Sequence, residues 1–148
     1  TICGSQRVQS FYAMMYSHDY QDALELMSRS DYHKDWGKEE ITRCIEEPLG
    51  IRQYKIIRDA DMIPLVLATW GFPTDKQVDN YVESGNFPIK GYKGDGKDVW
   101  IVDFIAEKGY TRMGFLVLKK MFMRSGYRKA FWYRTESEKL GWHLVRGV

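Results

Sequence analysis

Two side chains in this sequence have the chemistry of a catalytic pair. His33 lies three residues after Ser30 in a polar segment, and Asp103 is a single acid within an apolar run over residues 99–105. An imidazole can accept and return a proton near neutral pH. A carboxylate inside a buried strand is costly unless another group pairs with it. Together these residues suggest a His/Asp catalytic pair, in which Asp103 would orient the imidazole of His33.

Each of these residues also has a structural interpretation that the sequence leaves open. Taken alone, His33 fits a surface or structurally bonded histidine, and an arginine or a backbone N–H group would also satisfy Asp103. Ser30 could support the imidazole or donate to a substrate, but its spacing is more typical of a helix cap. Because alternate strand residues point the same way, Asp103 should share a face with Ile101 and Ile105.

Periodicity and capping signals predict four helices. They cover residues 10–28, the segment from Trp36 to Pro48 and Gly50, the segment between Thr74 and Gly85, and the segment between Thr111 and Gly126. Thr74 and Gln77 form a capping-box pattern at the start of the third helix. Thr111 is the expected N-cap of the fourth helix.

Runs of β-branched and aromatic residues predict five strands. They cover residues 53–58, 64–70, 99–106, 130–134 and 140–145. The turn residues Asp59 and Asp61 separate the first two strands and favour an antiparallel hairpin. This order of elements predicts an α+β fold in which helices pack against a mostly antiparallel sheet.

Composition fits one globular domain over residues 1–148. The chain is 44% hydrophobic and 15% aromatic, which is enough for a core. Its formal charge of +2 gives no global reason to expect nucleic acid or an anionic membrane as a partner. No stretch approaches the ~18 apolar residues of a membrane-spanning helix.

The histidines and cysteines do not form a metal-binding pattern. The three histidines lack a recognisable ligand spacing, and Cys3 and Cys44 belong to no CxxC motif. Two free thiols in a reducing compartment are therefore expected. These observations predict a soluble cytoplasmic protein that binds no metal.

The sequence resembles the toxin-activating lysine acyltransferases of the hemolysin C type. The pattern Ser-x-x-His-Arg/Lys-x-Trp of that family is similar to Ser30, His33, Lys34 and Trp36. A later family stretch, Ser-Gly-Asp-x-x-Trp-Phe-Ile-Asp-Trp-Ile-Ala-Pro-Phe-Gly, is similar to residues 94–109. The resemblance runs from about residue 26 to the end, so an extra N-terminal helix within residues 1–25 lies outside it.

The resemblance implies both a fold and a reaction. The fold would be GNAT-like, as in the GCN5-related N-acetyltransferases. The donor would be an acyl-acyl carrier protein, with no bound cofactor, and the acceptor would be an internal lysine of a partner protein. His33 and Asp103 would be catalytic, and Ser30 would support them.

Two departures from the family pattern lie near the predicted site. Lys34 stands where the family often has arginine, and Glu107 and Lys108 replace its Pro-Phe pair. Either change could alter donor docking or the choice of acceptor.

Other functions and assemblies stay open at this point. A non-catalytic GNAT-like structural or assembly protein, such as a phage virion component, is the main alternative. A small-molecule N-acetyltransferase is weakened by the lack of a phosphate-binding loop. The sequence does not distinguish direct transfer from an acyl-enzyme step, nor a monomer from a homodimer or larger assembly.

Overall fold

The computed structural model describes residues 17–134 and 139–144. The helices in this part of the chain are α1 (His18–Ser28), α2 (Lys38–Ile41), α3 (Glu47–Gly50), α4 (Asp75–Ser84) and α5 (Thr111–Arg124). The strands are β1 (Tyr54–Arg58), β2 (Pro64–Gly71), β3 (Val99–Ala106), β4 (Lys129–Arg134) and β5 (Lys139–Leu144). The predicted helical residues 10–16 lie outside the described residues.

The strands form one mixed sheet in the order β1-β2-β3-β4-β5. All neighbouring pairs are antiparallel except β3 and β4, which α5 connects as a crossover helix. The parallel pairing joins only residues 99–101 to residues 130–132, and β3 then continues to Ala106. The two strands therefore part at the middle of β3. The α+β prediction is confirmed, and the mixed sheet is compatible with a GNAT-like fold.

Helices cover both faces of this sheet. On one face, here called the α1 face, Ala23 and Leu26 of α1 pack with Leu67 and Ile105 of the sheet. On the other face, the α5 face, side chains of α5 pack with those of three strands. The latter cluster contains Ala68, Trp70, Val99, Ile101, Leu118, Phe122 and Ala130.

The prediction that Pro48 and Gly50 end the second helix is wrong for Pro48. This proline lies inside α3, which follows directly from α2 through a π-helical turn over Thr42–Glu46. A proline removes one helical hydrogen bond and its ring crowds the carbonyl group four residues earlier. The wider π turn leaves room for that ring, so the helix continues to Gly50.

The ends of α4 and α5 test the other capping predictions. The Thr74 and Gln77 capping box is present, and Gly85 ends α4 with a left-handed φ of 76°. Thr111 is the first residue of α5 and not its N-cap, because Tyr110 occupies the cap position. The Tyr110 side chain makes no capping hydrogen bond there.

A charged cluster fixes α1 against the edge strand β1. The Arg58 guanidinium donates to Asp19 at 2.6 Å and to Asp22 at 2.8 Å. The Tyr54 hydroxyl also donates to Asp19. Burial alone would raise the pKa of Asp19, but the hydrogen bonds from Tyr54 and Arg58 outweigh it and lower that pKa below 3.8.

We expect Arg58→Met to lower the free energy of unfolding by about 1–2 kcal/mol, because it removes two charge-assisted hydrogen bonds at a solvent-screened site. Urea unfolding at pH 7 measures this change. The ionised Asp19 adds to the free energy of unfolding at pH values above the ordinary carboxyl pKa of 3.8. This stabilisation is lost as the pH falls through the lower pKa that Asp19 has in the folded protein. The loss of unfolding free energy in the variant, relative to the wild type, should therefore persist from pH 7 to pH 5 and shrink below about pH 4.

Lys55→Met is the matched control for this substitution. Lys55 is exposed on the same strand, and no ion pair joins it to any described carboxylate. Its replacement should change stability by less than about 0.5 kcal/mol. Equal losses in the two variants would contradict a specific role for the Arg58 cluster.

Candidate active site

A β-bulge in β3 determines where Asp103 points. Thr69 of β2 pairs with Asp103, and the next residue, Trp70, pairs with Ile101, so Val102 is an extra residue without a partner. A bulge of this kind changes the phase of side-chain alternation along the strand. Residues before and after Val102 must therefore be assigned to the two faces separately.

Packing shows the change of phase directly. Before the bulge, Ile101 lies on the α5 face, whereas Trp100 packs in a separate cluster on the opposite face. After the bulge, Phe104 stacks on Phe115 of α5, and Ile105 packs beneath α1. Asp103 therefore lies on the α1 face. The prediction that it shares a face with Ile105 is confirmed, and the prediction that it shares one with Ile101 is wrong.

His33 meets Asp103 on the α1 face. Its Nε2 atom lies 3.0 Å from Oδ1 of Asp103, and its Nδ1 atom lies 2.6 Å from Oγ of Ser30. A carboxylate can only accept, so Nε2–H donates to Asp103, and in the neutral imidazole Nδ1 accepts from the Ser30 hydroxyl. The structure thus brings all three predicted site residues into one hydrogen-bonded chain.

The local backbone explains how Ser30 reaches the imidazole. After α1 ends, the N–H groups of His33 and Lys34 donate to the carbonyl oxygen of Ser30, which closes a single turn. That turn places the Ser30 hydroxyl beside the ring of His33. Ser30 is therefore not the helix cap that its spacing favoured.

The pair is almost removed from solvent and held from several sides. His33 is 5% exposed and Asp103 is 8% exposed. The rings of Tyr32 and Trp36 meet the imidazole edge-on, with centroid separations of 4.8 Å and 4.5 Å. These contacts restrict the imidazole to an orientation that serves both of its hydrogen bonds.

Thr69 is a supporting residue that the sequence reasoning missed. Its side chain is fully buried, and its Oγ1 atom accepts a hydrogen bond from the backbone N–H of Asp103 at 3.2 Å. The contact satisfies a backbone donor next to the bulge, where the regular ladder is interrupted. The available signal was that Thr69 is a single hydroxyl within the otherwise apolar run over residues 64–70.

Two cavities meet at His33. The first has a volume of about 380 Å³ and the second about 360 Å³, and both are lined by Tyr32, His33, Phe104 and Thr111. The first reaches Asp103 and is rich in aromatic side chains from both faces of the sheet. Those side chains include Trp36 and Phe87 on one side and Phe115 and Trp132 on the other. The first cavity therefore lies where β3 and β4 part.

The second cavity has a more polar lining. Arg29, Ser30, Asp31 and Glu107 contribute to it. Glu107, one of the two departures from the family pattern, forms an ion pair with Arg29, in which its Oε1 atom lies 2.5 Å from Nε. This departure therefore lies in the wall of the cavity that borders Ser30.

Two buried acidic groups near Asp103 stay protonated. Burial, together with the negative charge of Asp103, raises the pKa of the Cys44 thiol to about 12. Burial is also the main reason that the pKa of the Tyr92 phenol lies well above 10.0. Cys44 lines the first cavity, but it carries a neutral thiol at physiological pH.

The described part of the chain has neither a metal-binding cluster nor a membrane-spanning helix. Residues 17–134 and 139–144 contain no group of three or more histidine, cysteine and acidic side chains placed to hold a metal ion. Within the same residues, no helix is both long and apolar enough to cross a membrane.

Comparison with known proteins gives a family. No curated protein matches the chain. The family model for the RTX toxin acyltransferase family matches residues 20–140. The match begins six residues before the point at which the sequence resemblance starts, so it includes most of α1 together with His33 and Asp103. Because this match covers most of the chain, the protein belongs to the RTX toxin acyltransferase family.

Proposed function

We propose that this protein transfers a fatty acyl group from an acyl-acyl carrier protein to an internal lysine of a partner toxin. His33 is the base, Asp103 orients it and stabilises its charged form, and Ser30 supports it. The observation that carries the proposal is the buried chain of hydrogen bonds from Ser30 through His33 to Asp103, placed where two cavities meet. The family match supports an acyltransferase of the toxin-activating kind.

The reaction follows from the chemistry of an amine and a thioester. A lysine side chain is an ammonium ion at neutral pH, so it must lose a proton before it can attack. Since Nε2 of His33 is engaged by Asp103, Nδ1 is the nitrogen that accepts this proton, directly or through the Ser30 hydroxyl. The amine then attacks the thioester carbonyl carbon and the C–S bond breaks. The departing carrier thiolate takes the proton held by His33, and the new amide nitrogen loses its second proton to solvent.

The two cavities suit the two substrates. The aromatic part of the first cavity suits the apolar acyl chain, whereas Glu40, Arg43 and Asn86 give the same cavity a polar part. Its volume lies at the lower end of the usual range for ligand pockets. The second cavity is assigned to the acceptor lysine because its lining is the more polar of the two; its carboxylates, Asp31 and Glu107, are already paired with Lys34 and Arg29. Both substrates would then meet beside His33, which lines both cavities.

Direct transfer is favoured over an acyl-enzyme on cysteine. Nucleophilic catalysis by cysteine needs a thiolate, and a thiol with a pKa of about 12 supplies almost none at neutral pH. Cys44 is therefore a packing residue in this proposal, although it lines the first cavity.

The alternative of a non-catalytic assembly protein loses support. A virion component would need no buried histidine–aspartate pair, and the family match is to acyltransferases. We expect the enzyme to act in the cytoplasm, where a carrier-borne acyl donor would be made.

His33→Ala and Asp103→Asn should each lower acyl transfer by about 10²–10⁴-fold, because the base or its orienting partner is lost. Mass spectrometry of acyl-lysine on the toxin, with an acyl-acyl carrier protein as donor, measures the rate. His18→Ala is the matched control, because His18 is an exposed histidine at the start of α1.

His33→Ala leaves the Asp103 carboxylate buried without its partner, and this could unfold the chain. His33→Gln retains a side-chain amide, so circular dichroism and thermal melting of both variants separate lost folding from lost chemistry. Wild-type rates in a folded His33 variant would refute the proposed base. A wild-type protein that acylates no toxin lysine would refute the proposed function.

Ser30→Ala should keep about 1–10% of the wild-type rate, since a supporting hydroxyl contributes one hydrogen bond to the imidazole. The same variant discriminates between the two chemical paths. A loss as complete as that of His33→Ala would instead indicate that Ser30 is itself acylated, and an acyl-serine detected by mass spectrometry would overturn direct transfer.

Cys44→Ala should retain transfer within about threefold of the wild type, because a neutral thiol takes no part in the reaction. In a Cys3→Ser background, iodoacetamide should modify Cys44 at pH 8 at least about 100-fold more slowly than a thiol of ordinary pKa 9.0. Rapid modification that abolishes transfer would contradict this assignment.

A further inference from the structure

The segment that contains α5 concentrates positive charge. Residues 108–134 hold eight of the 22 Lys and Arg residues and none of the 20 Asp and Glu residues. The remainder of the chain therefore has a net charge of −6, although the whole chain has a net charge of +2. This charge separation is not required by the proposed chemistry at His33.

The outward side of α5 presents these charges in a regular stripe. Arg112, Leu116, Lys120, Met123 and Arg124 are all exposed, and their spacing places them along one side of the helix. The opposite side, with Gly114, Leu118 and Phe122, is buried. We call the five exposed residues the α5 stripe.

The cations of the α5 stripe have no ionic partner among the described residues. No carboxylate in residues 17–134 lies within ion-pair distance of Arg112, Lys120 or Arg124, whereas Arg58 engages two carboxylates. Between these cations, Leu116 is 51% exposed and Met123 is 42% exposed. A surface of unpaired cations interleaved with exposed apolar side chains is suited to bind an acidic partner that carries its own apolar residues.

The α5 stripe begins beside residues that line the first cavity. Thr111 and Phe115, in the first two turns of α5, line that cavity. The helix has 14 residues and is therefore about 20 Å long. A partner bound along the stripe would lie beside the proposed acyl site.

We propose that the α5 stripe is the docking surface for the donor, a small acidic acyl carrier protein that presents apolar side chains among its carboxylates. The proposal rests on the proposed function, in which the acyl group arrives on such a carrier. An acidic protein would be repelled by the net negative remainder of the chain and attracted by the stripe. The charge separation would thus orient the carrier with its thioester towards the first cavity.

The apolar members of the stripe favour a protein over a polyanion. Leu116 and Met123 form no hydrogen bonds or ion pairs with phosphate groups, whereas they can be buried against apolar residues of a carrier. Nucleic acid and anionic lipid are therefore alternatives that the experiment must separate.

The test is charge reversal on the α5 stripe. The triple variant Arg112→Glu, Lys120→Glu and Arg124→Glu should raise KM for the acyl-acyl carrier protein about tenfold or more, with kcat nearly unchanged. The same acyl group on pantetheine, which lacks the protein, should be used with an unchanged KM. The wild-type KM for the carrier should rise with salt, and that dependence should be weaker in the variant.

The matched control is the triple variant Lys55→Glu, Lys76→Glu and Lys90→Glu. These lysines are exposed, line neither cavity, and change the net charge by the same amount. Leu116→Ala with Met123→Ala tests the apolar contribution and should also weaken carrier binding. Calorimetric titration with the acyl-acyl carrier protein measures binding independently of transfer.

The outcomes separate this inference from the proposed function. Unchanged KM and carrier affinity in the α5 variant, or equal losses in the control, would overturn the docking surface while transfer stands. A rise in KM for the toxin alone would assign the stripe to the acceptor and overturn the inference. Charge-dependent binding of phosphatidylglycerol vesicles or duplex DNA, without carrier binding, would also overturn it. Carrier binding without any lysine acylation would refute the proposed function and leave the docking surface intact.

Discussion

The contact between Asp103 and His33 depends on one extra residue in a strand. Without the bulge at Val102, regular alternation would turn Asp103 towards α5, where Ile101 and Phe115 pack. With it, the carboxylate lies beneath the turn that follows α1, at 3.0 Å from the imidazole. The packing of α1, the course of the turn after it and the position of both cavities all depend on this change in the side-chain alternation of β3.

Burial of the contact between Asp103 and His33 has a desolvation cost and also makes the contact specific. Removing a carboxylate and an imidazole from water is compensated only if each remaining polar group finds a partner. Here the Ser30 hydroxyl occupies the second nitrogen of the ring, and Thr69 satisfies the backbone beside the carboxylate. Cys44, the nearby thiol, stays neutral and adds no charge. The arrangement is fixed before substrate arrives, which is the form of preorganisation that acid–base chemistry needs.

Local signals in the sequence predicted those parts of the structure that depend on neighbouring residues. The strand over Val99–Ala106 and the Thr74 capping box follow from apolar runs and short-range hydrogen bonds. The bulge depends on the register between two strands, which no local pattern encodes. Pro48 inside a helix depends on the π turn before it. That Asp103 has a partner was predictable because a buried acid demands one, and the family resemblance pointed to His33 as that partner. The strand face that Asp103 occupies was only partly predictable.

The parting of β3 and β4 leaves space beside His33 for the first cavity. A parallel pair joined by a crossover helix ends at Ile101, and the aromatic cavity occupies the space beyond it. The polar cavity lies on the other side of the shared wall formed by Tyr32, His33, Phe104 and Thr111. Glu107 stands in that second cavity, paired with Arg29, where the family pattern has an apolar residue. Glu107 does not line the aromatic cavity, so under the proposed assignment of the two cavities this departure would bear on the choice of acceptor more than on the choice of acyl donor.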